Sequence, residues 1–325
     1  MKSKKLWKGV FCGVMLALGL VSASHAEDSP SGSLTRQQRD AVCTKCHDES
    51  ERKPILSIYQ TPHGAIGDSR TPACQDCHGE SQNHLSGKTE GGHRLPPDRV
   101  FGSKHSPAGY TPISPQAQSE ACLVCHKAGL RMHWPGSQHQ ANDVACTSCH
   151  VVHNPTDPVR IKEEQPTVCF KCHREKRAEI NKISAHPIAV GKMACSDCHN
   201  PHGSSGPHLL KQNTVNETCW QCHADKRGPF LWEHQPATED CTNCHNPHGS
   251  NITPLLKSRP PFLCQKCHDG PHVSPSPTGS AVAGIQGGGL APNTAPNNNV
   301  VGRACMNCHV MVHGSNSPAG AFLHR

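Results

Sequence analysis

The pattern Cys-x-x-Cys-His occurs ten times in 325 residues, and nothing else in the chain limits its fold so tightly. The copies are Cys43, Cys46 and His47; Cys74, Cys77 and His78; Cys122, Cys125 and His126; Cys146, Cys149 and His150; Cys169, Cys172 and His173; Cys195, Cys198 and His199; Cys219, Cys222 and His223; Cys241, Cys244 and His245; Cys264, Cys267 and His268; and Cys305, Cys308 and His309. Two thiols three positions apart can each form a thioether with a porphyrin vinyl group, and the adjoining imidazole can then bind the iron from the same side. Zinc, dithiol redox chemistry and structural disulfides also use paired cysteines, but none of them explains the histidine. A zinc ribbon needs two pairs closing on one site, and a thioredoxin-like motif needs one copy on a βαβ frame. Ten copies with the same fifth residue imply ten covalently bound haem c groups.

The protein part alone is too poor in apolar residues to fold. Leu, Ile, Val and Phe number 18, 10, 19 and 6 of 325, well below the level of about 20% under which disorder is the default. Such a chain cannot bury enough apolar surface to offset its conformational entropy. Porphyrins bonded to the backbone would supply the missing core, so folding is expected to depend on haem attachment.

Residues 1–26 read as a secretory signal peptide. Lys2, Lys4, Lys5 and Lys8 precede an apolar run from Val10 to Val21, and Ser24-His25-Ala26 offers a small-residue cleavage site. Cys12, the one cysteine outside the motifs, would leave with it. Twenty cysteines then remain for twenty thioethers. Export together with haem staples implies a bacterial periplasm. The formal charge of +7 falls to +3 without the four signal lysines, and haem propionates make the oxidised holoprotein mildly acidic. A nucleic-acid-binding reading therefore has no support.

The motifs fall into five repeated units, each with one isolated histidine between its two motifs and one trailing histidine. These are His63 and His84, His139 and His153, His186 and His202, His234 and His248, and, in the fifth unit, His272 and His313. Ten motif histidines and ten further ones would fill twenty axial positions on ten irons. His153, His202 and His248 each follow a motif histidine by three residues, so each lies on the same side of the chain as that histidine. Each should therefore ligate a different haem and tie separated motifs together. His93, His105, His133, His208 and His324 fall outside the pattern and are not expected to be ligands.

The expected architecture is a multihaem cytochrome c, mostly irregular with short α-helices, forming an elongated array of five tandem dihaem units whose core is haem. After the signal, residues 27–42 form an N-terminal arm, and the units span 43–121, 122–168, 169–218, 219–263 and 264–325. A short helix is expected over 174–183. Insertions at 79–119 and at 274–300, the latter rich in Pro, Gly and Asn, read as surface loops.

Irons with both axial positions filled pass electrons but offer substrate no open site. The chain thus reads as an electron-transfer protein and not an enzyme. Met132, Met193, Met306 and Met311 fall outside the repeated pattern of the units, so His/Met ligation with its higher potentials is not expected.

The paired units, the segments Cys195-Ser-Asp-Cys-His-Asn-Pro-His-Gly-Ser204 and Lys226-Arg-Gly-Pro-Phe-Leu-Trp-Glu-His234, and the ending Val312-His-Gly-Ser-Asn-Ser-Pro-Ala-Gly320 resemble the periplasmic decahaem cytochromes of the MtrA/DmsE type. The resemblance runs from about Ala41 to the C-terminus. It implies an outer-membrane electron conduit seated inside a β-barrel porin, fed by an inner-membrane or periplasmic multihaem cytochrome and delivering to an extracellular multihaem cytochrome, terminal reductase or metal acceptor. The mature chain has no apolar span of about twenty residues, so its irregular backbone could cross a bilayer only within a protein sheath. The alternatives are a soluble periplasmic carrier that feeds a reductase, and a multihaem enzyme with an open iron.

Overall fold

The computed structural model describes residues 35–50, 55–65, 67–103, 109–268, 305–318 and 320–324. Its helices are short: α1 (Arg36–Thr44), α2 (Cys74–His78), α3 (Gln82–Leu85), α4 (Pro115–Leu123), α5 (Gln138–Ala141), α6 (Gln165–Cys169), α7 (Arg174–Glu179), α8 (Cys195–Cys198), α9 (Val215–Trp220) and α10 (Gln235–Glu239). Among the described residues the only sheet is a two-residue antiparallel hairpin, β1 (Thr89–Glu90) on β2 (His93–Arg94), inside the first insertion. No described helix is long and apolar enough to cross a membrane. The mostly irregular fold with short helices read from the sequence is the fold observed.

Numbering the motifs one to ten, motifs one, three, five and seven are delivered by α-helices, three of them closed by a side-chain N-cap. Thr35 accepts from the Gln38 amide and the Gln38 side chain takes the Thr35 amide, which closes the N-terminus of α1. Ser114 followed by Pro115 starts α4, and Thr214 with Glu217 starts α9. Helices α1, α4, α6 and α9 then carry Cys43, Cys122, Cys169 and Cys219 close to their C-terminal ends. Each of these helices begins ahead of its first cysteine, so it crosses the unit limits drawn at Cys122, Cys169 and Cys219.

Each motif is a single helical turn. In nine copies the histidine amide donates to the carbonyl of the first cysteine at 2.9–3.1 Å, and in the tenth the motif is α2 itself. Positions i, i+3 and i+4 of a helix share one face. The turn therefore aims two thiols and one imidazole to the same side.

Polar clamps do the work usually left to an apolar core. Asp40, 1% exposed, accepts from Tyr59 Oη at 2.9 Å and from the Cys74 amide at 2.9 Å, and it pairs with Arg36. Gln118, 2% exposed, accepts from Thr147 Oγ1 and from the Gly102 amide. Gln165 accepts from the Ser196 amide, and buried Asn216 from the Cys241 amide at 2.7 Å. In each of the first four units, a polar side chain three or four residues before the odd motif thus fixes the even motif beside it. Among the described residues the buried apolar side chains are few: Ala73, Ala145, Ala194, Val168, Ile180, Leu256, Leu323 and Trp134. Three of them are alanines placed immediately before even motifs, where the second turn packs on the first.

The helix expected over 174–183 starts at Arg174 but ends at Glu179. Ile180 is buried, and Ser184 already pairs in extended form with Ser250 of the next unit, which a helical backbone could not do. The first insertion contains α3 and the β1–β2 hairpin; the second, 274–300, lies outside the described residues.

Candidate haem-binding site

The fold brings the histidines together in pairs. Their ring centroids are 6.1 Å apart for His47 and His84, 6.1 Å for His78 and His153, 5.9 Å for His126 and His63, and 6.1 Å for His150 and His202. The series continues with His173 and His139 at 6.2 Å, His199 and His248 at 6.1 Å, His223 and His186 at 6.3 Å, His245 and His313 at 6.1 Å, and His268 and His234 at 6.1 Å. Two imidazoles on opposite faces of one metal ion, each at a bond of roughly 2.0–2.1 Å, have centroids about 6.3 Å apart. Nine pairs thus stand at the separation that one iron between them would require.

The ring nitrogens are presented for that role. Nδ1 donates to a backbone carbonyl in His78 (Arg99), His84 (Leu95), His139 (Pro201), His153 (Ile55), His186 (Pro247), His199 (His208), His234 (Val312), His245 (Pro254) and His309 (Phe322), at 2.6–3.0 Å. A carbonyl can only accept, so Nδ1 carries the proton and Nε2 keeps the lone pair a metal needs. Burial and neighbouring cations hold several rings neutral: His63, His78, His126, His199, His248 and His313 are shifted below the ordinary imidazole value. His202 is pushed down to about 4 by burial, then by His150 and Arg131.

The cysteines show the order of the motifs in space. First-position thiols touch within each unit: Cys43 with Cys74, Cys122 with Cys146, Cys169 with Cys195, Cys219 with Cys241 and Cys264 with Cys305. Second-position thiols are electrostatic neighbours between units: Cys77 with Cys125, Cys149 with Cys172, Cys198 with Cys222 and Cys244 with Cys267. Alternating the two kinds of contact links all ten motifs in sequence order without a gap. Where thiols are paired, hydrogen bonding from Cys122 pushes Cys146 down to about 6 while Cys122 moves up. All twenty motif cysteines are free of disulfides, and no metal-binding group of three or more His, Cys, Asp or Glu forms among the described residues. The donor set fits haem c: two same-side thiols and an imidazole per turn, with a second imidazole opposite.

The pairing follows a rule that the sequence did not disclose. An odd motif histidine faces the isolated histidine of the preceding unit, and an even one faces the trailing histidine of the following unit. His47 has no preceding unit and faces His84. His272 lies outside the described residues. His309 lies 4.4 Å from His324, with 50° between the rings, too close for an iron between them. His324 follows Phe322 and Leu323 at the place where units three and four carry Leu210 and Leu256, which is the side of the motif turn itself. His93, His133 and His208 join no such pair; His105 lies outside the described residues.

Sequence reasoning missed the clamps Asp40, Gln118, Gln165 and Asn216, and also Asp157, whose carboxylate holds His150. The detectable signal was a recurrent amide or carboxylate three or four positions before motifs one, three, five and seven. Without the partner atoms it resembles ordinary helix surface.

Comparison with known proteins agrees with this geometry. The model for a doubled CXXCH motif matches residues 186–228 and 234–272, and the model for cytochrome c-type protein NrfB-like matches 74–165. The chain is 45% identical to multiheme cytochrome MtrA of Shewanella baltica over 289 residues, covering 87% of this chain and 80% of that protein. It is 30% identical to cytochrome c-type protein NrfB of Escherichia coli over 33% of this chain and 66% of that protein, and 30% identical to the NrfB of Haemophilus influenzae over 49% and 81%. Same-side thiol and imidazole donors on repeated turns, with this likeness along most of its length, place the chain in the MtrA family of multihaem c-type electron-transfer cytochromes.

Proposed function

We propose that the chain carries ten haems c in five tandem dihaem units and conducts electrons across the outer membrane inside a β-barrel porin, between periplasmic donors and an extracellular cytochrome, reductase or metal acceptor. The observation that carries this reading is the unbroken file of ten motifs with imidazoles paired across unit boundaries. Haem supplies a reversible one-electron iron couple. The chain's part is to fix spacing, close both axial positions and exclude substrate. Each of the twenty motif cysteines forms a thioether, and each motif histidine is one axial ligand. The second ligands follow the pairs above, and the rule leaves one motif histidine, His309, and one unit histidine, His272, to serve each other.

Periplasmic export through residues 1–26, which lie outside the described residues, belongs to the same proposal. So do the donor cytochrome on the inner side and the porin sheath. The decisive test places the purified holoprotein with its candidate barrel in liposomes containing a reducible dye and supplies reductant outside. Dye reduction that needs both components is the expected result. Correct assembly without transfer would instead favour a soluble carrier that feeds a reductase.

A further inference from the structure

The even-numbered motifs share a device that differs in one place. His78, His199, His245 and His309 each give their Nδ1 proton to a neutral backbone carbonyl: Arg99, His208, Pro254 and Phe322. In units three and four that carbonyl lies on a returning segment, where Asn200 and Asn246 bond to Leu209 and Leu255. Unit two has no such segment: His150 is followed by Val-Val-His-Asn-Pro-Thr-Asp157. There the Asp157 carboxylate accepts a hydrogen bond from Nδ1 at 2.6 Å, and its other oxygen accepts from the Val151 amide at 3.3 Å. The Asp157 side chain is only 15% exposed, so solvent screens its charge little.

We propose that Asp157 tunes and positions His150 so that the iron bound there has a lower reduction potential than it would have with a neutral partner at His150 Nδ1. This rests on the ligation proposed above. A full negative charge at Nδ1 makes the imidazole a stronger donor than a carbonyl does, and a stronger donor stabilises the ferric state. The opposite ligand adds nothing to the effect, because the buried His202 Nδ1 has no hydrogen-bond partner among the described residues, so the lowering comes from Asp157 alone. Arg131, on the His202 side, opposes the effect, but it is an exposed charge and is screened. The corresponding pair at motif six is looser: Glu179 lies 3.3 Å from His248 Nδ1, while His199 on that motif keeps its neutral carbonyl. Asp157 would therefore keep the iron at site four ferric to a lower potential than a carbonyl partner would.

The test is a potentiometric titration of the purified holoprotein followed by low-temperature EPR, comparing wild type with Asp157→Asn and Asp157→Glu. One low-potential transition should move upward in Asp157→Asn and return towards its original position in Asp157→Glu, with the haem count and low-spin ferric intensity unchanged. An unmoved titration in a fully loaded, low-spin Asp157→Asn protein overturns the proposal. If Asp157→Asn loads incompletely, Asp157→Ser supplies the neutral comparison; loss of the low-spin signal in both makes Asp157 structural and also overturns it. His202→Met separates the two levels. An unchanged spectrum and titration in that variant would remove the ligand assignment at this iron, whereas a clear upward shift keeps the assignment and leaves only the role of Asp157 to be decided.

Discussion

At the scale of single residues, ring orientation sorts the sites into two groups. Five pairs lie within 22° of parallel, those of His47, His150, His199, His245 and His268. Four are crossed at 54–77°, those of His78, His126, His173 and His223. Parallel imidazole planes act on one iron π orbital and split it from its partner, whereas crossed planes act on both alike. EPR of the oxidised protein should accordingly resolve two classes of low-spin ferric signal in near-equal number, and a single class would contradict the ring geometry. The motif histidines could be read from the sequence because chemistry fixes them beside the cysteines. Their partners could be counted there but not matched, since partners such as His153 and His78 meet only when separate units dock.

At the scale of elements, the joint between units is a small repeated structure. His139, His186 and His234 donate to the carbonyls of Pro201, Pro247 and Val312, each immediately before the trailing histidine of the next unit. Gly203, after His202, has φ +108°, and a Cβ there would fall on the His133 carbonyl oxygen. Gly203→Ala should cost about 1–3 kcal/mol through forced backbone strain, read as a lower thermal midpoint together with weakened ligation at the His150 iron. The clamps are comparably sensitive. Asn216 serves the Cys241 amide and the Ala237 and Thr238 carbonyls, so Asn216→Leu leaves buried backbone groups unpaired at about 1–3 kcal/mol each. Chemical denaturation of the holoprotein should show it, and an unchanged midpoint would mean that the clamp contributes nothing. The helix ending at Glu179 shows why local propensity misled: favourable helix formers yield where Ser184 must pair with Ser250.

At the scale of the whole molecule, stability should belong to the holoprotein. With so few buried apolar residues, the chain expressed without haem attachment is expected to lack cooperative unfolding and to show little helical circular dichroism. A cooperative thermal transition in the apo chain would refute that. Pyridine haemochrome and intact mass should report ten haems; eight would break the ligand count. Double ties between successive units, one through an odd iron and one through an even iron, would make the file rigid and keep its spacing constant, as directed electron flow requires.

The sequence by itself determined the cofactor chemistry, the repeat of the attachment motif and the poverty of apolar residues, because covalent attachment is written in contiguous residues and composition is a sum. Tertiary structure alone decided which histidines face each other, that motif neighbours in the chain are neighbours in space, and that one even motif histidine, His150, rests on a carboxylate. Those relations join atoms tens of residues apart, and only the docking of one unit on the next specifies them.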